Sequence, residues 1–185
     1  MSSVGRITVE EVNRLSEDEF VARFGTLYEH SPWVAEGAWR ARPFEGLEGL
    51  HEAFLRAVRE ASEERRIGLI RAHPDLAGKA ALAGELTRES AGEQSSAGLD
   101  LLSPEEFEAF TRTNRAYREK FGIPMVVCVR EHTKESILAN AEERLAHTRS
   151  EEIKTALGEI GKISYLRLRD QVSPTPNEHS EGAQP

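Results

Sequence analysis

Apolar residues recur every three or four positions along most of the chain, and this period predicts helices. Phe20, Phe24 and Leu27, for example, share one helical face behind the capping signal Ser16–Glu19. Helices are predicted at 9–15, from Ser16, from Ser31 to Pro43, at 46–61, from Ser62 to His73, from Asp75 to Leu86, from Ser90 to Gly98, from Ser103 to Gly122, from Thr133, and from Ser150 to Val172. The fold class expected is all-α, a single-domain bundle of about eight to ten short helices.

The run Met125–Val129 is apolar without helical period, and we expect an extended buried segment because no partner strand is evident. The domain is predicted to cover residues 1–172. A tail at 173–185, rich in proline, serine and charge, is predicted to be disordered.

Composition narrows the classes of function. The 185 residues carry a net charge of −8 and no basic block, which argues against nucleic acid and anionic membranes as partners. Cys128 is the single cysteine, so no internal disulfide can form, and a buried thiol in a reducing, cytoplasmic setting is expected. No run approaches membrane-spanning length.

Candidate chemistry concentrates between His73 and Leu99. In His73-Pro74-Asp75 the proline pushes His73 out of helical geometry, so its imidazole can project from a helix end. Such a histidine can act as a general acid or base, because it titrates near neutral pH. It can equally close the helix C-terminus, and spacing alone favours that structural role.

Ser90, Glu93 and Gln94 form the second candidate group. A serine followed by a glutamate three residues later is a capping-box pattern, which would account for Ser90 and Glu93. The alternative is a carboxylate and an amide at a helix N-terminus, where exposed N–H groups attract a polar or anionic ligand. The pattern alone leaves both interpretations open.

The last predicted helix carries a stripe that begins apolar and ends polar, at Ile160, Ser164 and Arg167. The helical period aims Arg167 at the core, where an arginine needs an anionic partner. Glu93 or a substrate carboxylate could supply it; an arginine extending to solvent from the helix end is the alternative. Asn114 and Tyr117 are interpreted as structural, the amide tying down a loop.

Signatures of other chemistries are missing. The six histidines show no HExxH spacing, and the chain has no CxxC, GxGxxG, Walker or GxSxG motif. The sequence therefore predicts no metal and no organic cofactor, and acid–base or electrostatic catalysis if the protein is an enzyme.

Several motifs in order resemble one family. HPDLAGK at 73–79, ESAGEQSSAGL at 89–99, Asn114-x-x-Tyr117 with FGIP at 121–124, and LRLRD at 166–170 are similar to the OHCU decarboxylases. OHCU is 2-oxo-4-hydroxy-4-carboxy-5-ureidoimidazoline, the last intermediate between urate and allantoin. The resemblance spans residues 8–172, while Ile123 and Met125 replace bulkier residues usual in that family.

The resemblance implies a cofactor-independent decarboxylase of purine catabolism, often a homodimer, which forms (S)-allantoin and carbon dioxide. It implies three catalytic residues, namely His73, Glu93 and Arg167. It implies substrate contacts from Pro74, Ser90, Gln94 and the segment Phe121, Gly122, Ile123, Pro124, Met125 and Val126. On the residues alone, a non-catalytic helical interaction module or a lyase for a related ureido compound stays open.

Overall fold

The structure is a computed structural model that describes residues 5–173, apart from the side chain of Ala80. The helices are α1 Val9–Arg14, α2 Glu17–Phe24, α3 Trp33–Trp39, α4 Gly46–Glu60, α5 Glu63–Ala72, α6 Lys79–Ala83, α7 Arg88–Ser96, α8 Pro104–Phe121, α9 Lys134–Arg144 and α10 Arg149–Gln171, with a 3₁₀-helix at Val129–Glu131. Within residues 5–173 the only β-type pairing is an isolated bridge between Ile7 and Val172. The all-helical prediction is confirmed.

Local sequence signals explain most of the helix starts. Thr8, Ser16, Ser103 and Thr133 each accept a hydrogen bond from the backbone N–H three residues later, as an N-cap does. At Thr8, Ser16 and Ser103, the glutamate three residues later accepts a hydrogen bond from the backbone N–H of the cap residue. These bonds lower the pKa of the carboxyl groups concerned, as at Glu11 and Glu19.

Two compact units make up the chain: one contains the described residues up to Ser62 and from Ile163 onward, the other Glu63–Lys162. The first unit is built on an aromatic cluster of Phe20, Phe24 and Phe54, all fully buried. Phe20 meets Phe24 edge-on at 4.8 Å between ring centroids and stacks on Phe54 at 5.8 Å. The helical face predicted for α2 is therefore the face that packs.

Helix α8 belongs to the second unit. Along α8, Phe110, Asn114, Tyr117 and Phe121 recur every three or four residues as one stripe and are buried, whereas Phe107, nearer the helix start, is 37% exposed. Gly122 ends α8 with a φ of 69°, a left-handed conformation that favours glycine. The segment 125–128 is buried and free of strand pairing, as predicted, whereas Val129 begins the 3₁₀-helix.

Several helix boundaries differ from the predictions; the helix expected from Ser31 to Pro43, for example, is α3 at Trp33–Trp39. The helix expected over 75–86 shrinks to α6, because Ala77 adopts a φ of 49° and Gly84 a φ of 70°. The helix expected from Ser90 begins at Arg88 behind the cap Thr87, and α10 begins at Arg149 rather than Ser150. The cap of α7 therefore lies three residues earlier than the pattern indicated.

The predicted domain boundary stays a prediction. Ser173, the first residue of the predicted tail, donates its N–H to the carbonyl of Ile7 at 2.8 Å. The rest of the tail lies outside the described residues. Within 5–173, no helix combines the length and apolar character that crossing a membrane requires.

Candidate active site

His73 directly follows α5 and is buried, with 6% of its surface exposed. Its Nδ1 lies 3.0 Å from the carbonyl oxygen of Leu69, in the last turn of α5. A carbonyl can only accept, so Nδ1 carries the hydrogen and Nε2 carries the lone pair in the neutral ring. The helix-closing role favoured by spacing is present, through Nδ1 of the ring.

The chain turns sharply after His73-Pro74. Gly78 donates its N–H to the carbonyl of Asp75 at 3.3 Å, and Ala77 has a φ of 49°. A Cβ at position 78 would lie 2.7 Å from Cβ of Asp75, so the turn requires glycine there. A left-handed alanine is costly and persists only where its surroundings hold it.

Side chains from α7 and α8 bind three successive residues of this turn. Gln94 of α7 accepts the Ala77 N–H at 2.9 Å through Oε1, and Asn114 of α8 donates to the Leu76 carbonyl at 2.9 Å. Asn114 therefore ties down a loop, as predicted. Arg118, one turn further along α8, binds both carboxylate oxygens of Asp75.

Helix α7 presents Ser90, Glu93 and Gln94 at three- and four-residue spacing, hence on one side. Ser90 and Gln94 are buried, and Glu93 is half-buried. The N-cap is Thr87, whose hydroxyl accepts the Ser90 N–H at 3.3 Å. The capping-box interpretation of Ser90 and Glu93 is wrong, so a cap does not explain those two side chains.

The segment after α8 is fixed by charged side chains instead of strand pairing. Three carbonyls accept bonds from arginines, and one N–H donates to a glutamate. The pairs are Arg149 with Phe121 at 3.2 Å, Arg71 with Gly122 at 3.0 Å, Arg144 with Val126 at 2.8 Å, and Cys128 with Glu159 at 2.8 Å. Arg71 lies two residues before His73, so this segment and the His73 turn are joined through α5.

Glu93 also influences the end of that segment. Helix α7 packs against the 3₁₀-helix Val129–Glu131, next to Cys128. Burial raises the pKa of the Cys128 thiol to about 11, with contributions from the negative charges of Glu131, Glu159 and Glu93. The burial predicted for this thiol is confirmed.

Comparison with known proteins identifies the family of this chain. The sequence profile of the OHCU decarboxylases matches residues 13–169. The chain belongs to the OHCU decarboxylase family. It is 46% identical over 167 residues to the 2-oxo-4-hydroxy-4-carboxy-5-ureidoimidazoline decarboxylase of Haloferax volcanii, covering 90% of this chain and 97% of the relative. The corresponding protein of Halalkalicoccus jeotgali is 40% identical over 178 residues, covering 96% and 99%.

Two solved structures have a similar fold. An (S)-allantoin synthase superposes with a TM-score of 0.72 at 29% identity over 90% of this chain, which spans about half, 54%, of that protein. An OHCU decarboxylase crystallised in the presence of (S)-allantoin has a TM-score of 0.63 at 20% identity, covering 83% of this chain and 96% of that one. At 20% identity, the similarity to the second structure shows the fold alone.

Among the residues that the family resemblance singled out, those of the second unit are linked. Gln94 bonds to the turn that follows His73 and Pro74, and Ser90 and Glu93 share α7 with it. The segment from Phe121 to Val126 is anchored by Arg71 at one end and Arg144 at the other. Ile123 and Met125, the departures from the family pattern, are fully buried.

Arg167 belongs to the first unit. It is 4% exposed, and its Nη2 donates to Oε1 of Glu29 at 3.0 Å, while Nη1 donates to the carbonyls of Thr26 and Leu27. The core-facing orientation predicted from the stripe is confirmed. Glu29 is an anionic partner that the sequence analysis did not single out.

Sequence analysis also missed Arg118 and Arg71. Asn114 and Arg118 lie four residues apart and both bond to the turn after His73, so an i, i+4 search on α8 could have found the second. Arg71 gives no local signal, because its partner is 51 residues away. Within residues 5–173, no cluster of three His, Cys, Asp or Glu side chains is arranged to hold a metal ion.

Proposed function

We propose that this protein converts OHCU to (S)-allantoin and carbon dioxide in urate degradation. Membership of the OHCU decarboxylase family along almost the whole chain carries the proposal. The geometry of the second unit supports it, because the histidine turn is tied to the helix that presents Ser90, Glu93 and Gln94.

The reaction needs charge stabilisation and one-sided protonation. In OHCU the carboxylate and a hydroxyl share one carbon. Breaking the C–C bond releases carbon dioxide and leaves its electron pair on the ring, delocalised into the adjacent imine. The imine nitrogen then takes up a proton, a second proton is added to the former imine carbon from one face, and the hydroxyl loses its proton to become the carbonyl of allantoin, so that one proton is taken up overall.

His73 is the proposed proton carrier. Its Nδ1–H is committed to Leu69, so the tautomer is set and Nε2 can take the hydroxyl proton. Burial keeps the ring in one orientation, and this favours proton delivery to one face. Pro74 fixes the backbone beside it.

Gln94 is proposed to contact the substrate as a donor. Because the Ala77 N–H holds Oε1, the amide orientation is set and Nε2 presents N–H groups. A carbonyl of the substrate is therefore the matching group. Glu93 is the complementary acceptor for ring or ureido N–H groups, and Ser90 supplies a hydroxyl within the first turn of α7.

Backbone groups from Phe121, Gly122, Ile123, Pro124, Met125 and Val126 are the remaining proposed contacts. Three of their carbonyls are already held by arginines, which makes the segment rigid. Arg167 is proposed as the cationic group that stabilises an anionic oxygen, with Glu29 orienting its guanidinium.

Three further properties belong to the proposal. The reaction uses no cofactor, so exhaustive dialysis against a chelator should leave activity unchanged. The protein is a homodimer, which light scattering after size-exclusion chromatography would test. It acts in the cytoplasm, consistent with one buried, reduced cysteine.

The deciding experiment generates OHCU in situ from urate with the upstream enzymes and follows optical activity. Addition of this protein should accelerate formation of a single enantiomer, (S)-allantoin. A spontaneous racemic time course, unchanged by the protein, would refute the proposed activity. Offering related ureido compounds in the same assay would reveal a different lyase substrate.

A further inference from the structure

We propose that Arg118 is a positioning residue, whose ion pair with Asp75 holds the turn that carries His73. Nε of Arg118 lies 3.1 Å from each carboxylate oxygen of Asp75, and Nη2 lies 3.0 Å from Oδ1. Such a forked contact restrains direction as well as distance.

The covalent path from this ion pair to the imidazole is short. Asp75 is separated from His73 only by Pro74, whose ring restricts φ. Few soft dihedrals therefore lie between the Asp75 carboxylate and the His73 ring. A shift of Asp75 is expected to reach the ring, which also bonds through Nδ1 to the carbonyl of Leu69.

The three supports of the turn differ in burial. Gln94 and Asn114, which hold Ala77 and Leu76, are both buried, whereas the side chains of Arg118 and Asp75 are 47% and 27% exposed. An exposed ion pair adds little to global stability. Substituting Arg118 therefore tests the effect of the ion pair on the geometry of the turn without disturbing the packing of buried side chains.

Another arginine on the same helix supplies the control. Arg115 also pairs with a carboxylate, Glu119, at 4.0 Å, and both of those side chains are more than 70% exposed. Its partner lies on α8 itself, so this pair holds no part of the His73 turn. Arg115→Gln removes the same charge from the same helix.

The inference rests on the proposed function, so the test includes a readout that needs no turnover. The full-length protein and the variants Arg118→Gln, Arg118→Lys and Arg115→Gln are compared in the in situ OHCU assay and by thermal unfolding. Nuclear magnetic resonance of isotope-labelled histidine rings gives the second readout, with His73→Gln assigning the His73 signal among the six histidines.

Arg118→Gln is expected to lower kcat about tenfold or more, since small misplacements of a reacting group are costly, with KM changed by less than about threefold. Its His73 signal should shift, while Arg115→Gln should match the parent in kcat and in that signal. Arg118→Lys keeps the charge without the fork and should fall between the two.

Two results would overturn the proposal. One is Arg118→Gln matching Arg115→Gln in both kcat and the His73 signal. The other, if Arg118→Gln does not fold, is a folded Arg118→Lys with parental kcat and His73 signal. If the parent itself does not turn over OHCU, the proposed function fails, and the His73 signal alone then decides the positioning role.

Discussion

Gln94 and Ala77 are joined by a hydrogen bond in which the Ala77 backbone N–H donates to Oε1 of Gln94 at 2.9 Å. This bond links α7 to the turn after His73 and sets the orientation of the Gln94 amide. It also stabilises Ala77 in a left-handed conformation that alanine otherwise disfavours. Gln94 thus has a structural bond on one side and donor groups on the other.

Gln94→Glu separates these two functions. A carboxylate can still accept the Ala77 N–H, but it has no N–H to donate. If Nε2 donates to a substrate carbonyl, the variant should raise KM or lower kcat by about tenfold to a hundredfold. Near-parental kinetics in a folded Gln94→Glu protein would assign Gln94 to the turn alone.

His73 and Glu93 are expected to be required for turnover. His73→Gln removes the titratable ring and should lower kcat about a hundredfold to ten-thousandfold, the usual range for general acid–base catalysis. Glu93→Gln should lower kcat/KM, because a neutral amide replaces the charged acceptor. Stereospecific allantoin formation at a near-parental rate by folded His73→Gln would contradict the proposed proton transfer.

Thr87 and Ser90 should separate stability from activity. Thr87 is the N-cap of α7, so Thr87→Ala should lower the free energy of unfolding by about 1 kcal/mol. Ser90→Ala removes no cap and should act mainly on KM or kcat. Urea unfolding and the OHCU assay on both variants test this; a larger loss of stability in Ser90→Ala would restore the capping interpretation.

Arg167 and Glu29 form a buried ion pair, with 4% and 3% of their surfaces exposed. Glu29→Gln leaves the arginine charge without its carboxylate and should lower the free energy of unfolding by about 3–5 kcal/mol. Urea unfolding measures the effect. Leu27→Met, a volume-conserving change beside the pair, serves as a control for packing and should cost less than about 1.5 kcal/mol.

Cys128 should be unreactive in the folded protein. Because burial raises its pKa to about 11, the thiol is protonated at pH 8, and iodoacetamide should label it only after unfolding. The native state retains this proton above the usual thiol pKa, so stability should fall as the pH rises from about 9 towards 11. Cys128→Ala should remove that part of the pH dependence, and rapid labelling of the folded protein would contradict the burial effect.

Local sequence determined most of the secondary structure of this protein. The caps at Thr8, Ser16, Ser103 and Thr133 and the stripe on α8 depend on residues three and four apart, so spacing along the chain is sufficient. The burial of Arg167 follows from the same period on α10. His73, Ser90, Glu93 and Gln94 were singled out by sequence pattern and by family resemblance, and their catalytic and binding roles stay predictions.

Tertiary structure alone decided how the candidate groups are oriented. The direction of the Gln94 amide and the pairing of Arg167 with Glu29 each depend on a specific partner atom. The partners of Gln94 and Arg167 lie 17 and 138 residues away along the chain. Periodicity states which face a side chain occupies, but a hydrogen bond is set within a few tenths of an ångström by packing between distant segments.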